Sequence, residues 1–142
     1  MCQTSDMKEP MLTKGKVLIV DDERLNVAIV ADSLASSGYE VLTAFNGEEG
    51  LRAAHDSSPD VILLDVVMPG INGFTVCRKL KEADATRHIP VVMLTALTDR
   101  ESRHEGLEAG AIDFLNKPVD MIELTIRLRN VIELKEYHEN LQ

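Results

Sequence analysis

The residues able to do chemistry stand where short apolar runs stop. Asp21 and Asp22 follow Lys16-Val-Leu-Ile-Val20, with Glu23 next. Asp65 follows Val61-Ile-Leu-Leu64, Thr95 follows Val91-Val-Met-Leu94, and Lys117 stands just beyond Ile112–Leu115. If those runs lie side by side, several carboxylates, a hydroxyl and one ammonium face a common rim. Carboxylates brought together repel and lose hydration. A hard divalent cation relieves both costs, and Mg2+ takes oxygen ligands, keeps several waters and shares its shell with phosphates. Asp65 also has Val66 and Val67 after it, and a charge in apolar surroundings must be paired or used. Beside a metal and Lys117, such a carboxylate suits a phosphoryl acceptor. Lys117 would pair with one phosphoryl oxygen and Thr95 would donate to another, which is catalysis by positioning and electrostatics. A plainer alternative has Asp21 and Asp22 only capping the helix that follows, where anions suit the dipole. It leaves Asp65 and Lys117 unexplained.

Five strand–helix repeats position these groups. The strands are expected at Lys16–Val20, Tyr39–Ala44, Val61–Leu64 running into Asp65, Pro90–Leu94 running into Thr95, and Ile112–Leu115. The helices are expected at Leu25–Leu34, Glu48–His55 after Asn46-Gly47, Phe74–Ala83, Arg100–Ala109 closed by Gly110, and from Val119 onward. In the first helix Val27, Val30, Ala31 and Leu34 make an i, i+3, i+4, i+7 stripe. Short apolar strands alternating with helices imply a parallel sheet covered on both faces. Right-handed crossovers make it doubly wound, with ligands at the carboxyl ends of the strands.

Composition excludes several classes. The chain has 142 residues and a net charge of −9, enough for one domain. Nucleic-acid affinity draws on Lys and Arg, and so does attraction to anionic lipid. Neither partner is expected for so acidic a chain. No apolar run reaches the ~18 residues of a membrane span. Cys2 and Cys77 form no metal-ligand spacing or disulfide framework. Residues 1–14 read as a flexible leader without the apolar core of a signal peptide, so the expected location is cytoplasmic. Val20 is followed by acidic residues rather than a glycine-rich loop, which argues against a dinucleotide fold or P-loop.

Taken in order, Val17-Leu-Ile-Val-Asp21-Asp22-Glu23, Asp65-Val-Val-Met68-Pro69-Gly70-Ile-Asn-Gly73, Leu94-Thr95-Ala96, Gly110-Ala111 and Lys117-Pro118 resemble the receiver domain of bacterial two-component response regulators. The resemblance implies a flavodoxin-like, five-stranded parallel sheet of order 2-1-3-4-5, with an extended C-terminal helix. It implies a phosphorylation-activated switch. Asp65 would accept a phosphoryl group from a histidine kinase, a phosphotransfer protein or a small acyl phosphate. Asp22, Asp65 and the backbone carbonyl of Val67 would hold Mg2+, with Mn2+ as a substitute, and Asp21 would act through a metal-bound water. Thr95, Ala96 and Lys117 would hold the phosphoryl group. Phe114 would turn inward as Thr95 moves, and the bond before Pro118 would be cis. Phe114 lacks the hydroxyl of the more familiar tyrosine, and it also reads as plain core packing.

The sequence departs from the common pattern at two positions that tune loss of the phosphoryl group. Val67 and Leu97 cannot orient a water by hydrogen bonding, so slow dephosphorylation is expected. Residues 15–129 form the expected receiver, and 130–142 a helical extension. From Asp120 to Gln142 the helix would span about 35 Å. Val131, Leu134, His138 and Leu141 follow 3–4–3 spacing, a short seam or the face of an exposed amphipathic helix. The extension is expected to link to an output domain or to touch a second copy in a homodimer, the state being relayed to that domain or to an effector protein. The chain is not expected to turn over an external substrate. Two alternatives stand: a Mg2+-dependent phosphohydrolase with Asp65 as nucleophile, weakened by Val67 where an acid/base carboxylate is usual, and a phosphorylation-independent interaction module.

Overall fold

The computed structural model describes residues 14–96 and 100–140. Apart from Lys14, the expected leader lies outside the described residues, as do Leu97, Leu141 and the His138 side chain. Strands β1 (Lys16–Val20), β2 (Glu40–Ala44), β3 (Val61–Asp65), β4 (Val91–Thr95) and β5 (Asp113–Asn116) alternate with α1 (Arg24–Ser36), α2 (Gly47–Ser57), α3 (Gly73–Glu82), α4 (Arg100–Ala109) and α5 (Met121–Asn140). All strand pairings are parallel, in the order β2-β1-β3-β4-β5. This is the expected doubly wound, flavodoxin-like sheet.

Strand alternation sends successive side chains to opposite faces. Leu18, Val20, Ile62, Leu64 and Met93 therefore pack with Ala54, Phe74, Val76, Cys77, Leu80 and Ala109 from α2, α3 and α4. Val17, Ile19, Leu63, Val92 and Leu94 pack with Val27, Val30, Leu34, Leu124 and Leu128 from α1 and α5. The central strands β1, β3 and β4 are buried on both faces, which is why they read as unbroken apolar runs.

Element limits differ from the sequence expectation by a few residues. β5 starts at Asp113, and Ile112 just before it is exposed. α5 starts at Met121, and Asp120 Oδ1 accepts from the Ile122 N–H at 2.9 Å, satisfying an otherwise unpaired donor of the first turn. Asn46 and Asn72 cap α2 and α3 by accepting from the Glu49 and Thr75 N–H groups.

The far half of α5 packs on the domain. Val131 and Ile132 are buried in the core, worth about 1.5–3 kcal/mol each in burial. Lys135 Nζ lies 3.6 Å from Asp60 Oδ1. Asp60 Oδ2 accepts from the Lys16 N–H at 2.7 Å. Val131 thus faces inward, while Leu134 and Tyr137 remain exposed.

Candidate functional site

Register brings the site together. Val20 pairs with Leu64, and Asp65 with Leu94. Asp21 therefore emerges from β1 beside Asp65 at the end of β3. Thr95 pairs with Asn116, which sets Lys117 one residue past the end of the neighbouring strand. The Lys117–Pro118 peptide is cis.

The ammonium of Lys117 reaches three carboxylates. Its Nζ lies 3.1 Å from Asp21 Oδ2, 3.1 Å from Glu23 Oε1 and 3.3 Å from Asp65 Oδ1. Asp21 is fully buried and Asp65 is 4% exposed, whereas Asp22 is exposed. Oxygens of Asp21, Asp22 and Asp65 lie within 4.8 Å of one another. Carboxylate oxygens are hard ligands, of the kind Mg2+ takes rather than a soft metal. The sequence alone gives Glu23 and Asn26 no role at the site. Glu23 marks the start of α1 but its side chain makes no cap; it pairs with Lys117 instead. Asn26 Nδ2 donates to Asp21 Oδ2 at 2.9 Å, and the Glu23 N–H donates to Asp21 Oδ1 at 3.0 Å. The buried Asp21 carboxylate is therefore held in one orientation. Nothing in residue type flags Asn26, whose reach depends on how the chain enters α1.

Burial pushes the Asp65 carboxyl up to about 6, the charge of Asp21 adds to the effect, and Lys117 and the Val67 N–H oppose it. For Lys117, burial alone would lower its affinity for a proton. The neighbouring carboxylates of Glu23, Asp21 and Asp65 outweigh burial and hold the ammonium above its ordinary range. Lys117 is therefore a fixed positive charge at any working pH.

An open cleft of about 400 Å³ lies over these groups, lined by Asp22, Glu23, Asp65, Val67, Ala96 and Lys117. The Val67 side chain is 61% exposed and offers the cleft no polar atom. Thr95 is buried at the end of β4. Phe114 is 8% exposed and turned into the core, with the Arg103 guanidinium 5.5 Å over its ring. α3 approaches closely because of Gly73. A Cβ there would lie 2.3 Å from the Asp65 carbonyl oxygen, so any larger residue would push the helix off the strand end.

Residues 17–129 match the family described as "Response regulator receiver domain". The chain belongs to that family. This receiver is 51% identical over 121 residues to "Response regulator PleD" of Caulobacter vibrioides, covering 85% of the chain and 27% of PleD. It is 38% identical to "DNA-binding dual master transcriptional regulator RpaA" of Synechocystis, covering 82% of the chain and 48% of RpaA. The receiver thus spans well under two thirds of either relative. Its backbone superimposes on a putative response regulator from Chloroflexus aurantiacus with a TM-score of 0.79 and 38% identity, covering 84% and 98% of the two chains. The receiver of a "modulated diguanylate cyclase" from Desulfovibrio desulfuricans gives 0.77 and 32%, covering 87% and 98%. Receivers are generally regulatory rather than catalytic and interact with histidine kinases and output domains. Among the described residues, no helix is long and apolar enough to cross a membrane.

Proposed function

We propose that this receiver is a phosphorylation-activated switch with Asp65 as acceptor. The observation that carries this reading is the meeting of Lys117 with Asp65 and Asp21 under an open cleft. An Asp65 carboxylate oxygen attacks the phosphorus of a phosphohistidine on a histidine kinase or phosphotransfer protein, or of a small acyl phosphate. The new O–P bond forms as the bond to the donor breaks, and its electron pair leaves with the donor nitrogen or oxygen. Asp22, Asp65 and the Val67 carbonyl would hold Mg2+ or Mn2+, with Asp21 acting through a water. Such an ion would supply positive charge against the phosphoryl oxygens. Lys117 pairs with one of those oxygens, and Thr95 and the Ala96 backbone complete the cradle. Thr95 and Phe114 carry the change of state to the α4–β5 side of the domain. Residues 1–14 are a leader and 15–129 the receiver; in 130–142 Val131, Ile132 and Lys135 pack on the domain, and the exposed part of that segment is a link to an output domain or a contact with a second copy. The protein works in the cytoplasm, with an output domain or effector reading its state.

The test is intact mass after incubation with Mg2+ and acetyl phosphate, beside Asp65→Asn. One added phosphoryl group, lost in the variant and abolished by chelator, is the expected result. Addition that persists in Asp65→Asn would remove Asp65 from the acceptor role. No addition, either from acetyl phosphate or from a panel of histidine kinases, would favour a phosphorylation-independent interaction module.

A further inference from the structure

Gly106 lies inside α4, where glycine weakens a helix relative to alanine. The Phe114 ring supplies a reason for it. A Cβ on Gly106 would lie 2.3 Å from Phe114 Cζ and 2.7 Å from Cε1, with Phe74 Cε1 at 3.4 Å. Carbon atoms settle at about 3.5–4.0 Å. The ring therefore fills the volume a methyl group would need. Arg103, one turn earlier on α4, lays its guanidinium over the same ring.

We propose that Gly106 is a positioning residue that admits the Phe114 ring to its inward berth and so sets the balance between inward and outward ring positions. This rests on the reading of Thr95 and Phe114 as the phosphorylation switch. Relief of the clash falls to the ring rather than to the helix. α4 is tied to α3 by Cys77 Sγ donating to the Ala109 carbonyl at 3.4 Å and by the Arg78–Glu105 ion pair at 3.3 Å. The clashing atoms, by contrast, belong to the far end of one side chain that can turn about χ1. A methyl group at position 106 therefore expels the ring, and the sequence selects bare backbone at a point where helix propensity alone would select alanine.

The experiment uses the full chain carrying carbon-13 in its phenylalanine rings, which adds no bulk at Cζ. Its three phenylalanines give ring resonances assignable by single replacements. In unphosphorylated Gly106→Ala the Phe114 resonance is expected to leave its buried position for that of an exposed ring. Phosphorylation of Asp65 by acetyl phosphate is expected to slow about fivefold or more, the lower end of coupling between linked sites. In a Phe114→Leu background, Gly106→Ala is expected to leave the phosphorylation rate unchanged and to stabilise the fold, because the helix gains alanine without a clash. A Gly106→Ala chain that folds only when Phe114 is replaced would overturn the proposal, because the ring would then be fixed core packing with no outward position to occupy. An unmoved Phe114 resonance, or the same slowing with Phe114→Leu, would overturn it. Failure of the wild-type chain to take a phosphoryl group would sink the switch reading instead, and the ring resonance of the unphosphorylated protein would still decide the ring's position.

Discussion

Removing the charge of Asp65 should make the metal-free protein more stable, although the substitution strikes the proposed phosphoryl acceptor. The Asp65 carboxyl is raised from 3.8 to about 6, first by burial and then by the charge of Asp21. At about 1.4 kcal/mol per unit, holding it ionised costs up to about 3 kcal/mol. The folded-state value lies above the unfolded one, so the native state binds more protons between pH 4 and 6, and stability falls as pH rises through that window. Asparagine resembles the protonated acid and escapes the penalty. In chelator at pH 8, Asp65→Asn should therefore gain up to about 3 kcal/mol over wild type. For a chain of this length that is roughly 10 °C in Tm. The gap should halve by about pH 5 and nearly vanish by about pH 4. Urea and thermal unfolding of the two proteins at matched ionic strength measure it. Mg2+ should then close the gap at pH 8 by stabilising wild type more than the variant. A variant no more stable than wild type at pH 8, or a gap that ignores pH, would refute the reasoning.

Three further outcomes follow from the geometry. Asn26→Ala removes one of the groups that hold the buried Asp21 carboxylate and should weaken Mg2+ binding by up to about 10-fold, the low end for losing a group that orients a ligand; titration calorimetry reads it. Val67→Asn places a hydrogen-bonding group in the cleft and should speed loss of the phosphoryl group from a slow wild-type rate. Fast wild-type loss, indifferent to that change, would count against the assignment. Ile132→Ala should cost about 2–5 kcal/mol in urea unfolding, as for other buried large-to-small changes, whereas a helix end hanging free of the domain would lose almost nothing.

The sheet and the main site residues were legible because both follow from where apolar runs stop. Asp21, Asp65, Thr95 and Lys117 occupy strand ends, and parallel register then forces them together. What stayed hidden depends on helix rotation and on distances across the fold. Glu23 sits next to an obvious acidic pair, yet its partner is 94 residues away. Val131 reads as part of an outward seam, but α5 turns it inward beside Ile132. No period in so short a segment distinguishes a seam facing a second chain from one facing the core of its own. The role of Gly106 is written in a residue that is absent from its side chain, and only the position of a ring eight residues later reveals it.

The sharing of Lys117 among Asp21, Glu23 and Asp65 has a consequence for timing. With Asp22 also at the rim, one cation faces four anions among the described residues, and these groups present surplus negative charge to whatever approaches. A phosphorylated donor is itself anionic and meets repulsion until that surplus is cancelled. Electrostatics thus works as a turnstile. Under the proposed function it would favour an order of arrival, a dication first and an anionic donor second.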